Sequence, residues 1–206
     1  MQLSKHWEKV YKEKATTEVS WYQPHAALSL KLIQELDIPT KAAIIDIGGG
    51  ASILVDDLVA DDYKNITVLD ISRNALRAAR ARLCSRAEGV RWIQTNILNA
   101  ILPPKNYDLW HDRAVFHFLT DLEDRQKYVR LVQNAVKPGG LAIMATFAED
   151  GPTMCSGLPV RRYSAEELNA EFGESFTSLR HEKESHQTPA GSEQKFVYCV
   201  FRKTSY

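Results

Sequence analysis

The stretch Ile44-Ile45-Asp46-Ile47-Gly48-Gly49-Gly50-Ala51-Ser52 decides the fold. It closes an apolar run that begins at Ala42, and a short apolar run bounded by glycine reads as a buried strand, here over 42–47. A helical pattern follows over 52–60, so the three glycines form the turn between strand and helix. Glycine at that place lets the chain reverse tightly and lets a ligand come close to the backbone. The start of the helix offers N–H groups without intrahelical partners, a setting for an anionic group such as a carboxylate. Without a ligand, the same residues would be a tight turn and nothing more.

Twenty residues after Gly50, Asp70 ends the next apolar run, 65–69. An acid at the end of the second strand can accept both ribose hydroxyls of an adenosine. The loop, its strand-to-helix setting and the downstream acid together point to a nucleoside-containing cofactor. A dinucleotide loop wants G-x-G-x-x-G, but Ile53 stands where the third glycine belongs. Asp46 would also repel a pyrophosphate in a partly dehydrated pocket. S-adenosylmethionine, with a sulfonium and an ammonium, suits that acid better.

The alternation continues along the chain. Ser72 can cap a helix through Ala75, Leu76, Ala79 and Leu83. Strands are expected over 90–95 and 107–111. Asp121 begins a helix carrying Tyr128, Leu131, Val132 and Ala135, stopped by Lys137-Pro138-Gly139-Gly140, and a fifth strand follows over 141–147. After a helix near 164–172, two strands over 175–183 and 195–202 are joined without a helix, which predicts an antiparallel pair at a sheet edge. The fold class is α/β: a seven-stranded, mostly parallel, doubly wound Rossmann-like sheet with an antiparallel C-terminal pair and helices on both faces. One domain is expected over 1–206, with an N-terminal helical lid section at 1–41, a cofactor-binding core at 42–147, and a substrate-side loop and hairpin at 148–206. Two helical pieces are expected before about Leu36, with Pro24 in the first turn of the second.

The chain's 206 residues can bury a proper core, and its formal net charge is zero. A binder of nucleic acid by counterion release normally shows a basic excess, so nucleic acid is disfavoured as a partner. No apolar stretch is long enough to span a bilayer, and the charged N-terminus is unlike a signal peptide. Cys84, Cys155 and Cys199 are odd in number and far apart, neither a disulfide framework nor a zinc site. No metal is expected, and the compartment is read as cytoplasmic.

From about Ala42 onward the chain resembles the class I S-adenosylmethionine-dependent methyltransferases. The likeness rests on Asp46-Ile47-Gly48-Gly49-Gly50, Val68-Leu69-Asp70-Ile71-Ser72, Gln94-Thr95-Asn96-Ile97, Tyr107-Asp108-Leu109-Trp110-His111-Asp112-Arg113 and Lys137-Pro138-Gly139-Gly140. It implies a cofactor, S-adenosylmethionine, that leaves as S-adenosylhomocysteine. It also implies that Asp46 and Gly48 to Gly50 lie along the methionyl part, that Asp70 and Ile71 hold the ribose side, and that Asn96 and Ile97 meet the adenine. Asn96 stands where the family usually has Asp, and Gly49 is a mild variation on D-x-G-x-G.

The segment His111-Asp112-Arg113-Ala114-Val115-Phe116-His117-Phe118 resembles stretches of thiopurine-type and other thiol methyltransferases, and of small lysine methyltransferases. By that likeness His111 and Asp112 are candidate cofactor contacts, while Arg113 and His117 face the acceptor, with His117 as candidate base. A packed helix residue or a loop-anchoring ion pair are the plainer readings of His117 and Arg113. Trp7 and Tyr11, four apart, read as packing; Trp21 and Tyr22 read as a lid, with Tyr22 on the cofactor carboxylate. The 148–162 loop is a candidate substrate lid, and Cys155 lacks a base that would make it a nucleophile.

The reading is in-line methyl transfer to a small-molecule acceptor. A protein substrate, as in a lysine N-methyltransferase, is the alternative, and a non-catalytic cofactor-binding module the third.

Overall fold

The computed structural model describes residues 2–204. The chain forms two compact units: residues up to Ala100 with Thr188–Ala190, and Ile101–Gln187 with the chain from Gly191 onward.

The first unit begins with α1 (Gln2–Glu13) and α2 (Ala27–Glu35). The latter starts after Pro24 rather than around it, so Pro24 and His25 belong to the connecting segment. There follow β1 (Ala43–Ile47), α3 (Leu54–Ala60), β2 (Asn65–Asp70), α4 (Arg73–Leu83) and β3 (Val90–Gln94). β1 pairs with β2, and β2 with β3, all parallel, as the interleaved helices require. Every residue of β1 is buried, which is why its run reads as continuously apolar apart from Asp46. α4 starts as expected: the Ser72 Oγ accepts from the Ala75 N–H at 3.2 Å.

The second unit holds β4 (Tyr107–Arg113), α5 (Leu122–Ala135), β5 (Val136–Phe147), a short hairpin of β6 (Met154–Cys155) and β7 (Leu158–Pro159), α6 (Ala165–Phe172), β8 (Phe176–Gln187) and β9 (Glu193–Lys203). β4 and β5 are parallel; β5–β9 and β8–β9 are antiparallel, in the order β4-β5-β9-β8. The long strands of the two units thus supply the seven strands of the expected mostly parallel sheet, with its antiparallel C-terminal part. β5 begins five residues before the expected 141, because Val136 already pairs with Tyr107. The glycines at 139 and 140 are accommodated by a register shift between Tyr107 and Leu109, with Gly139 at φ 72°. α6 opens with a full capping box between Ser164 and Glu167. Its Phe172 stacks on Phe201 at 4.9 Å in the core of this unit. No helix among the described residues is long and apolar enough to cross a membrane.

Candidate active site

In the first unit the glycine turn closes onto two carboxylates. The Gly48 N–H donates to the Leu69 carbonyl at 2.7 Å, tying the turn to the end of β2. A Cβ at Gly49 would stand 2.2 Å from Asp46 Oδ2, and one at Gly50 would stand 2.4 Å from Asp70 Oδ2. Only glycine lets the backbone lie against both acids. Asp46 and Asp70 are 2% and 6% exposed. Burial pushes the Asp70 carboxyl up to about 7, with the charges of Asp46 and Glu8 adding to it, against the pull of the Ser72 and Ile71 N–H groups. The Ser72 N–H reaches Asp70 Oδ1 at 2.7 Å. Acids crowded this way favour a ligand that brings positive charge and hydroxyl donors, and a pyrophosphate would deepen the repulsion. The residues therefore fit S-adenosylmethionine.

Ile71 is half-buried beside Asp70, and Ile97 is buried in the turn after β3. Asn96 caps that turn: its Oδ1 accepts from the Leu98 N–H at 2.9 Å, so one of its two lone pairs is committed within the chain. α3 is seven residues long with Asp56 and Asp57 in its first turn. Both acids are partnered within this unit, Asp56 by Arg82 and Asp57 by His25 and the Ala26 N–H. Tyr22 is half-buried in a turn, its N–H donating to the Val19 carbonyl at 3.0 Å. Trp21 joins Trp7 and Tyr11 in edge-to-face contacts at 5.6 and 5.9 Å, and its indole N–H donates to Tyr11 Oη. Trp21 thus belongs to one packing group with Trp7 and Tyr11 of α1.

Sequence reasoning missed Glu8. Its carboxylate accepts from the Arg73 and Asn74 N–H groups at the first turn of α4, next to Asp70. The contact spans sixty-five residues, and no local pattern announces it.

In the second unit β4 delivers His111, Asp112 and Arg113. His111 is buried and lies opposite Ile143 of β5. Asp112 is fully buried. Its Oδ1 accepts from the N–H groups of Val115 and Phe116 at 2.9 and 3.3 Å, and its Oδ2 from the Tyr128 hydroxyl. Tyr128 in turn accepts from the Trp110 indole N–H at 3.0 Å. Burial raises Asp112 to about 6 despite these donors. Oδ1 holds the turn in which Ala114 takes φ 70°, and Oδ2 ties it to Tyr128 of α5, so Asp112 shapes the loop.

Arg113 donates from Nε to the Tyr198 hydroxyl at 2.8 Å and from Nη2 to Glu184 at 3.3 Å, and its guanidinium lies 4.4 Å over the Phe196 ring. Tyr198 also donates to Glu184, at 3.0 Å. Burial alone would lower the Arg113 pKa, but Tyr198 and Glu184 outweigh it and hold it raised. The anchoring ion pair is thus the arrangement seen at Arg113.

His117 is fully buried, its ring 4.5 Å from Phe118 and 4.7 Å from Phe147. Nδ1 accepts from the Phe147 N–H at 3.4 Å, while Nε2 is buried without a hydrogen-bond partner. Burial, helped by the Arg113 charge, lowers its pKa to about 3. An imidazole whose Nδ1 accepts carries its proton on Nε2, so it has no free lone pair to take another. In this position the neutral imidazole packs between Phe118 and Phe147. Burial also pushes the Cys155 thiol up to about 12, against the nearby Arg113, which removes its nucleophilic form. The 148–162 loop carries the β6–β7 hairpin, with Met154 half exposed.

Comparison with known proteins bears on family and fold. Residues 45–142 match the methyltransferase domain family. The human EEF1A lysine methyltransferase 2 is 24% identical over 190 residues, covering 84% of this chain and 74% of that protein. An uncharacterized methyltransferase of Mycobacterium bovis is 29% identical over 115 residues, 56% of this chain. Of that relative the chain spans about half the length, 54%. An S-adenosylmethionine-dependent methyltransferase of Anabaena variabilis superposes with a TM-score of 0.75 at 14% identity, over 98% of this chain and 96% of that one. That likeness shows the fold. Family match and fold together support a class I, Rossmann-like S-adenosylmethionine-dependent methyltransferase. Its cofactor is S-adenosylmethionine.

Proposed function

We propose that the protein transfers a methyl group to a small-molecule acceptor by in-line displacement. The observation that carries the cofactor part is the glycine turn laid against Asp46 and Asp70, where any Cβ would collide with a carboxylate oxygen. When bound, the cofactor supplies an electrophilic methyl carbon. Asp70 accepts the ribose hydroxyls, with Ile71 beside it, and Ile97 and the remaining lone pair of Asn96 meet the adenine. Asp46 and the Gly48 to Gly50 turn hold the methionyl part, with Tyr22 as a further contact. Asp112 and Arg113 are positioning residues: the first shapes the loop after β4, and the second ties it to β8 and β9. The enzyme's contribution is alignment.

A neutral, buried His117 leaves the acceptor to provide its own lone pair. That favours nucleophiles that ionise readily near neutral pH, thiols first among them. A lysine acceptor on a protein is the second reading, favoured by the human lysine methyltransferase that aligns over 84% of the chain.

The test is incubation with methyl-labelled S-adenosylmethionine and a cell extract, followed by separation of label by size. Label in the small-molecule fraction supports the proposal. Label on a discrete protein band replaces it with the second reading.

A further inference from the structure

We propose that the groove between α4 and β3, in the first unit, docks an acidic segment of a partner protein. The groove measures about 370 Å³ and is lined by Arg73, Leu76, Arg77, Arg80, Trp92 and Gln94. Positions 73, 77 and 80 follow the spacing of one helical face, so their Cα atoms span about 10 Å along the axis. All three arginines are exposed. Arg73 donates from Nε to Gln94 Oε1 at 3.1 Å, which fixes one guanidinium at the rim. Neither Arg77 nor Arg80 has a carboxylate partner among the described residues. Arg82, pointing elsewhere on the same helix, shows what a structural arginine looks like here. It is held by both oxygens of Asp56, at 2.6 and 3.0 Å, and by the carbonyls of Ala51 and Ser52.

Arg80 stands in the last turn of α4, where the helix dipole favours a cation, but Arg73 and Arg77 do not, and like charges at helical spacing repel, so the fold alone does not explain the stripe. The floor is apolar. Leu76 is buried and Trp92 half-buried, and the Trp92 indole N–H is already satisfied by the Ala87 carbonyl at 3.1 Å. What Trp92 offers a visitor is its ring, and a desolvated tryptophan among arginines is the usual composition of an interface hot spot.

The choice of occupant follows from charge and span. Guanidinium groups take carboxylates in a bidentate fork, which lysines do not, and the stripe contains only arginine. Ten ångströms of charge is too long for one small anion and fits a chain with acids at repeated positions. Nucleic acid would also place negative charge along the stripe. It normally recruits a broad basic surface, however, and this chain has no net charge. The partner is therefore a protein segment with several Asp or Glu and an apolar side chain for Trp92.

The test is fluorescence anisotropy with a labelled peptide rich in glutamate and leucine, beside a labelled oligothymidylate of equal charge. The proposal expects salt-sensitive peptide binding that falls about tenfold or more in the Arg77→Glu/Arg80→Glu double variant. It expects no change in Arg130→Glu, an exposed arginine on α5. Unchanged S-adenosylmethionine affinity in the double variant would show that it folds. Absence of peptide binding, equal binding to the double variant, or tighter oligonucleotide binding through the same two arginines would each overturn the proposal.

Discussion

Gly50, in the turn after β1, and Asp70, the last residue of β2, approach so closely that a Cβ on Gly50 would stand 2.4 Å from the Asp70 carboxylate. The turn and the acid are therefore one device. Replacing Gly50 by Ala would push Asp70 out of place and force a side chain onto a backbone at φ 21°. We expect Gly50→Ala to weaken S-adenosylmethionine binding by about a hundredfold, roughly 2.7 kcal/mol. A melting curve should still show a folded protein, with about 1–3 kcal/mol lost to strain.

Asp70 also sets a pH dependence. Its folded carboxyl titrates at about 7 against an ordinary value of 3.8. A folded pKa above the unfolded one means that the folded state holds its proton more tightly, so ionisation opposes folding. That opposition is absent below the ordinary value, grows as pH rises toward 7, and is complete above it. In the ligand-free protein Asp70→Asn should therefore raise Tm at about pH 8, by at most about 4 kcal/mol of stability. The gain should shrink as pH falls toward 5. A gain that grows on acidification would contradict the assignment.

Ribose hydroxyls donate better to the ionised carboxylate. The wild type should accordingly bind cofactor more weakly at about pH 6 than at pH 8 and release protons on binding. Titration calorimetry in buffers of different ionisation heat reads that release directly. Asp70→Asn should remove both effects.

His117 gives a sharp contrast between two roles. As a packing residue, His117→Leu should leave kcat within about threefold and move stability by about 1 kcal/mol. A general base at that position would cost about 10²–10⁴ in rate. Initial rates beside a urea titration separate the two.

Tyr128 donates its hydroxyl to the fully buried Asp112. Tyr128→Phe leaves that carboxylate one donor short and should cost about 1–3 kcal/mol in urea unfolding. Breaking the Arg113 cluster should cost more. Glu184→Gln removes the negative charge that faces Arg113 at a position only 13% exposed, and we expect a loss of about 2–4 kcal/mol. Because Arg113 positions the loop after β4, KM for the acceptor should rise more than kcat falls.

Sequence and structure agree where burial writes a simple code. β1 and β2 are legible because both of their faces are covered, and the capping residues Ser72 and Ser164 announce their helices locally. The start of β5 was hidden, because Pro138, Gly139 and Gly140 read as a stop although Val136 already pairs with Tyr107. β8 runs to Gln187, well past the expected end, because most of its residues are exposed and polar and it is held by pairing to β9. In the site, Asp46, Asp70 and the glycines announce themselves by motif. The partners of Asp112 and Arg113 do not: Tyr128, Tyr198 and Glu184 lie sixteen to eighty-five residues away and come together only through tertiary packing.

The measurement that tests the central claim most directly is titration calorimetry of S-adenosylmethionine into the wild type and into Asp70→Ala. The account predicts saturable binding of one cofactor per chain in the wild type and an affinity weakened at least about tenfold in the variant. Absence of binding by the wild type, or equal affinity in the two proteins, would contradict it.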